Sequence, residues 1–296
     1  MKKLFVVVVI LALVAIFGTS LLGDKETSSQ KRVAVIRISG PLYSSSVEGF
    51  TGMVKGADEI MRQINLARAD KTVAAVLLRI DSPGGSVTAA EEVAGELEKL
   101  KAEGKPVITS MGDMAASAGY WLASCTDYIY ANPSTMTGSL GVYIAWTNVE
   151  ELYKKIGLKN DLIKSGKYKD ILSPDRPMTA EERQMLQKMV DEMYDSFVKQ
   201  IASGRKLPEN QVRSLADGRV YTGKQAKELG LVDALGNYYD ALDYTAKTAG
   251  IEGKPQIVTY DSNLSWRTIL KGEFKEAFSE LFSFEKFDMP FSRGFN

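Results

Sequence analysis

Three short segments carry the groups that could do chemistry together. Residues 80–86 read IDSPGGS and join an apolar run to a helix-period run. Glycine lets backbone approach a ligand closely, and N–H groups beside a helix start suit an oxyanion or a carbonyl oxygen. The same residues also read as a plain tight turn between strand and helix. Residues 111–124, MGDMAASAGYWLAS, set Ser117 among small residues at a strand-to-helix junction. There a serine's own N–H and its neighbour's face the helix dipole, which suits a nucleophile whose oxyanion forms at the same place. It is not the G-x-S-x-G elbow, because Ala115 holds the first glycine position. Its other reading is a helix N-cap with small residues for close packing. Residues 162–174, LIKSGKYKDILSP, gather Lys164, Lys167 and Lys169. They read as a solvated basic loop or as the source of a base.

What is missing narrows the chemistry. The 296 residues include no histidine, which removes Ser-His-Asp and Cys-His catalysis and every His-ligated metal site. The single cysteine, Cys125, removes intrachain disulfides and thiolate zinc or iron–sulfur sites. A serine nucleophile would then need another base. Lysine can serve, provided desolvation favours its neutral form over an ordinary pKa near ~10.4. Lys+Arg and Asp+Glu are both 37, so no net field favours nucleic acid. Asp81 and Asp113 read as turn and cap residues. Tyr120, Trp121 and Tyr143 read equally as groove lining or as core.

Around these segments apolar runs alternate with helix-period runs. Strands are predicted at 33–39, 73–80, 106–110, 127–131, 141–146, 159–164 and 257–260. Helices are predicted at 55–68, 86–104, 116–124, 148–156, 179–204, 208–216, 223–229 and 238–249. The long helix opens with Thr179 and Glu182 in capping-box spacing, and Gly104 marks a helix end. The alternation predicts an α/β fold, a parallel sheet covered by helices.

The ends differ in kind. Residues 4–23 carry no charge and follow Lys2 and Lys3. Twenty helical residues reach ~30 Å, one hydrocarbon core. They predict a single-pass anchor with the rest of the chain extracytoplasmic, or else a cleaved signal peptide with Gly18-Thr19-Ser20 as its site. Residues 24–32 read as a polar linker. Residues 33–260 read as the folded domain and 261–296 as an aromatic-rich tail, either a packed helix or an arm that touches a partner or membrane.

Taken together, the motifs DSPGGS (81–86), GDMAASAGYW (112–121), TGSLGV (137–142), KSGKYKDILSP (164–174) and DGRVYTGKQAKELGLVD (217–233) carry a family resemblance. Over about residues 33–250 the chain resembles the short form of signal peptide peptidase A, a Ser-Lys serine protease sharing the Clp protease/crotonase fold. The resemblance implies Ser117 as nucleophile and Lys169 as general base, rather than Lys164 or Lys167. It implies Ser139 as the residue that holds the lysine, and Gly84 and Ala118 as oxyanion-hole donors. Ala118 stands where the family often has glycine and still supplies an N–H. The resemblance further implies remnant signal peptides as substrates, no metal or cofactor, and a dome-like ring, octameric in Gram-positive members, with sites formed between neighbours. Two other classes stay open: a crotonase-like acyl-CoA enzyme and a catalytically silent membrane scaffold.

Overall fold

The structure is a computed structural model that describes residues 31–49 and 52–260. The expected anchor, most of the linker and the tail lie outside the described residues. Among those described, no helix is long and apolar enough to cross a membrane.

The elements run β1 (Arg32–Ser39), β2 (Val47–Gly49), β3 (Gly52–Val54), α1 (Ala57–Ala69), β4 (Val73–Ser82), α2 (Val87–Ala102), β5 (Val107–Ala116) and α3 (Ala118–Ser124). Then come β6 (Tyr128–Ala131), β7 (Met136–Gly138), α4 (Glu150–Ile156), α5 (Ala180–Arg205), α6 (Glu209–Leu215) and β8 (Val220–Thr222). The chain closes with α7 (Gly223–Glu228), β9 (Ala234–Leu235), α8 (Tyr238–Thr248) and β10 (Gln256–Val258). The main sheet has the order β10-β1-β4-β5-β6-β9, every neighbouring pair parallel. β7 adds in parallel to the far end of β5, and β8 pairs with β7 antiparallel. The sheet is therefore mixed, not purely parallel. The chain between β7 and β8 runs through α4, α5 and α6 and returns with β8 antiparallel to β7.

Both faces of the central strands are covered, which explains their near-continuous apolar runs. Val33, Val35, Leu77 and Ile108 pack on Ala241, Leu242 and Ala246 of α8. Side chains of the other parity, among them Ile36, Ile38, Leu78 and Ile80, are buried on the opposite face with Ile60 and Ile64 of α1. α2 is capped by Ser86, whose hydroxyl accepts from Ala89 N–H. The Thr179/Glu182 capping box forms as the spacing predicts. α5 lies against α3, with Phe197 stacked on Trp121 at 5.0 Å. A Cβ on Gly204 would stand 1.9 Å from Ser124 O, so only glycine lets these helices approach so closely. Gly204→Ala should accordingly cost about 1–3 kcal/mol through overpacking, read as a lower thermal midpoint. An unchanged midpoint would show that the two helices do not pack this tightly.

Two predicted strands do not form. Residues 141–146 keep a strand's alternation, with Val142, Ile144 and Trp146 half-buried and Tyr143 and Ala145 exposed, but among the described residues no neighbouring backbone pairs with them. Residues 159–164 are exposed and irregular. A period-2 apolar pattern reports a half-buried surface, and a strand also needs a hydrogen-bonding neighbour. The predictions missed short β2, β3, β7, β8 and β9, whose few residues carry too little periodicity to be seen.

Candidate active site

β5 runs past its predicted end and delivers the chain to Ser117 at a sharp turn into α3. Ser117 has φ 52° and ψ −124°, backbone that a non-glycine residue rarely holds and that costs about 1–3 kcal/mol. Such a turn throws the hydroxyl outward, away from both strand and helix. Ser117 N–H is held by Gly138 O at 2.8 Å, and Ser117 itself is half-buried. Ala118 opens α3, so its N–H has no intrahelical acceptor.

The P-G-G turn closes on the back of this elbow. Gly84 has φ 98°, and a Cβ there would stand 2.7 Å from Ser117 Cβ and 2.9 Å from Ala118 N. Leu42 pins the turn: its N–H donates to Gly84 O at 2.8 Å and its carbonyl accepts from Ser86 N–H at 2.9 Å. Gly84 N–H itself donates to the buried Ser82 hydroxyl at 3.1 Å. That hydroxyl is a competitor an oxyanion would have to displace.

Ser139 is the second strained serine, with φ 52°. Its N–H donates to Arg219 O at 2.8 Å, so the β7–β8 pair holds it. A groove of about 480 Å³ contains Ser117 and Ser139 together with Tyr143, Tyr194 and Asp217. A second groove of about 290 Å³, lined by Tyr143, Ile144, Trp146 and Leu186, shares Val142 and Tyr143 with it. The Arg183 guanidinium lies 5.4 Å from the Trp146 ring. Tyr143 is thus groove lining, while Tyr120 and Trp121 are core. Tyr120 is fully buried, and its hydroxyl donates to Leu231 O at 2.8 Å. Asp81 accepts from Met114 N–H, as a turn residue would. Burial pushes the Cys125 thiol up to about 12, which leaves it inert as a nucleophile.

Lys169 lies elsewhere, in an exposed groove of about 460 Å³ with Asn160, Asp161, Asp170 and Asp175. The structure therefore brings Ser117, Ala118, Gly84 and Ser139 together within the chain and leaves Lys169 in a separate groove. The three lysines of this loop differ sharply. Lys164 pairs with Asp170 at 2.5 Å. Lys167 pairs with Glu181, which pushes its ammonium up to about 12. Among the described residues no ion pair or hydrogen bond engages the Lys169 amine. Sequence reasoning missed Ser82 and Leu42, because backbone contacts to a turn leave no signature in residue type.

The profile of peptidase family S49 matches residues 99–252, and that of the Clp protease matches residues 50–137. A Synechocystis sp. relative with a provisional protease name is 40% identical over 227 residues, 77% of this chain and 78% of its own length. Protease 4 of Salmonella typhi is 40% identical over 220 residues, 74% of this chain. The chloroplastic serine protease SPPA of Arabidopsis thaliana is 37% identical over 229 residues, 76% of this chain. The matched stretch spans only 35% of the Salmonella protein and 33% of the Arabidopsis one.

Proposed function

The chain belongs to peptidase family S49 and is a serine-type protease of Clp protease-like fold; we propose that Ser117 is its nucleophile and Lys169 its general base. The observation that carries this reading is the strained Ser117 elbow backed by Gly84 and Ala118, in one groove with Ser139. Neutral Lys169 takes the proton as Ser117 Oγ bonds to the peptide carbonyl carbon. The carbonyl oxygen becomes an oxyanion held by Gly84 and Ala118 N–H groups, each such donor being worth on the order of ~3 kcal/mol. Ser139 orients the ammonium. That ammonium then protonates the departing amine as the C–N bond breaks, and water activated by the same lysine releases the acyl group.

The separate grooves of Ser117 and Lys169 favour a site completed by a second copy, in a ring of subunits. Leu152, Ile156, Leu158, Leu162 and Ile163 are large apolar side chains exposed between the two motifs, and a neighbouring subunit would cover them. The substrate in this reading is an extended apolar peptide, such as a remnant signal peptide. Laid along residues 141–146 it would supply the backbone partner that segment lacks, with one side chain entering the groove at Ile144 and Trp146. Residues 4–23 would tether the site at the outer face of the membrane.

The test is hydrolysis of a short apolar fluorogenic peptide by the full chain in detergent, with a fluorophosphonate as covalent probe. Cleavage is expected, with one phosphonate adduct mapping to Ser117. An active enzyme labelled at another serine would remove Ser117 from the mechanism. No cleavage and no adduct across a panel of peptides would remove the reading altogether.

A further inference from the structure

Lys169 shares its groove with Asp161, Asp170 and Asp175, and each of these carboxylates, like Glu181 and Glu182 at the start of α5, is already engaged by another group. Asp161 pairs with Lys159 at 2.9 Å. Asp175 accepts from Asn160 Nδ2 at 2.6 Å and from the Ser173 hydroxyl. Glu181, in the first turn of α5, accepts from Lys167 and from the Tyr168 hydroxyl. Asp170, the residue after Lys169, is taken on both oxygens: Oδ1 by Lys164 Nζ at 2.5 Å and Oδ2 by Arg176 Nε at 2.8 Å. Glu182, beside Glu181 on α5, is taken by Arg176 Nη1 at 2.9 Å and Nη2 at 2.5 Å.

Arg176 is the centre of this arrangement. Its five N–H donors make five bonds. Three are those to Asp170 Oδ2 and Glu182, and the others go to Pro177 O at 3.0 Å and Asp170 O at 3.2 Å. Guanidinium suits this because its donors form a rigid planar fork, which an ammonium cannot imitate. The same short loop carries Leu172 at φ 67°, left-handed backbone that a bulky residue holds only when its surroundings fix it. Glu182 is the one buried carboxylate among the described residues and also closes the capping box of α5. The loop is thus pinned to the start of the longest helix.

We infer that Arg176 is a positioning residue for the lysine base: it fixes the Lys169 loop on α5 and denies Lys169 the carboxylate that follows it in the chain. The inference rests on the reading of Lys169 as general base. A base must be neutral to accept a proton, and an adjacent free carboxylate would hold the amine charged. Arg176 and Lys164 together prevent this, each occupying one oxygen of Asp170. Arg176 also keeps Glu182 held down to about 2, ionised at every working pH. Release of either carboxylate would therefore expose a full negative charge beside the loop.

The experiment compares pH–rate profiles of the full chain in detergent, with the fluorogenic peptide, for wild type, Arg176→Gln, Asp170→Asn and the double variant. In Arg176→Gln the acidic limb should move up by about one pH unit, a roughly tenfold loss of kcat on that limb, with KM changed less than about twofold. The double variant lacks the freed Asp170 carboxylate and leaves only Glu182 released, so it should bring the limb at least about halfway back to wild type. A clamp that matters only for folding would not be restored by removing a second member. An unmoved limb in Arg176→Gln, or a double variant no better than the single, overturns the inference. Should Arg176→Gln fail to fold, Asp170→Asn decides. A limb shift under about half a unit supports an insulated lysine, and a fall of more than about one unit shows that Asp170 already pairs with Lys169. Lys169→Ala separates the two layers. If it stays active the base is misassigned, and if it is dead while Arg176→Gln is normal, only the clamp is wrong.

Discussion

Lys169→Ala is expected to lower kcat by about 10³-fold or more, while Lys164→Ala and Lys167→Ala stay within about tenfold of wild type. The three lysines share one loop and one chemistry, so the difference comes from what each amine already does. Lys167 is committed to Glu181, and Lys164 closes on Asp170 and on Lys167 O at 3.0 Å. Either would have to break an ion pair before it could accept a proton. Lys169 breaks nothing. The assay also reports where the two halves of the site meet. Ser117→Ala and Lys169→Ala chains, inactive alone, are co-expressed so that they assemble together. Recovery of a substantial fraction of wild-type rate requires that Ser117 of one copy meets Lys169 of another. No recovery, with mixed assemblies verified by mass, would place both residues of a working site in one chain and require the Lys169 loop to move to Ser117.

The legibility of this chain in its sequence follows the physics of each element. β1, β4, α2 and α5 were readable because burial on two faces or along one stripe writes a long pattern. The capping box at Thr179 was readable because two side chains at fixed spacing satisfy two backbone donors. The turn at Gly84 and the serine at Ser117 were visible as residue types, but their meeting was not. It depends on β4 and β5 lying side by side, with Ser82 paired to Ala115 after a register shift that no local pattern encodes. Residues 141–146 show the converse failure. Their alternation is real, and no strand among the described residues pairs with them. The Arg176 fork was equally invisible, since an arginine in a loop says nothing of which carboxylates it will reach.

Gly84→Ala is the sharpest test of the oxyanion assignment, because one methyl strikes the site from two directions. Gly84 holds φ 98°, which an L side chain rarely adopts, and its new Cβ would lie 2.7 Å from Ser117 Cβ and 2.9 Å from both Ala116 O and Ala118 N. None of the three can yield: one is the Ser117 side chain and the others are backbone at a strained elbow. The turn must therefore withdraw, and Gly84 N–H leaves with it. The expected loss in kcat is about 10²–10³-fold, the scale seen when one oxyanion donor is removed, together with about 1–3 kcal/mol of stability from strain and overpacking. Gly104→Ala separates the two effects. Gly104 also has positive φ, 81°, but a Cβ there meets open space, and Gly104 lines none of the three grooves described. It should lose stability on a similar scale and keep its kcat. If Gly84→Ala folds and turns over within about tenfold of wild type, the P-G-G turn is a structural wall, and the oxyanion must be stabilised by Ala118 and another donor.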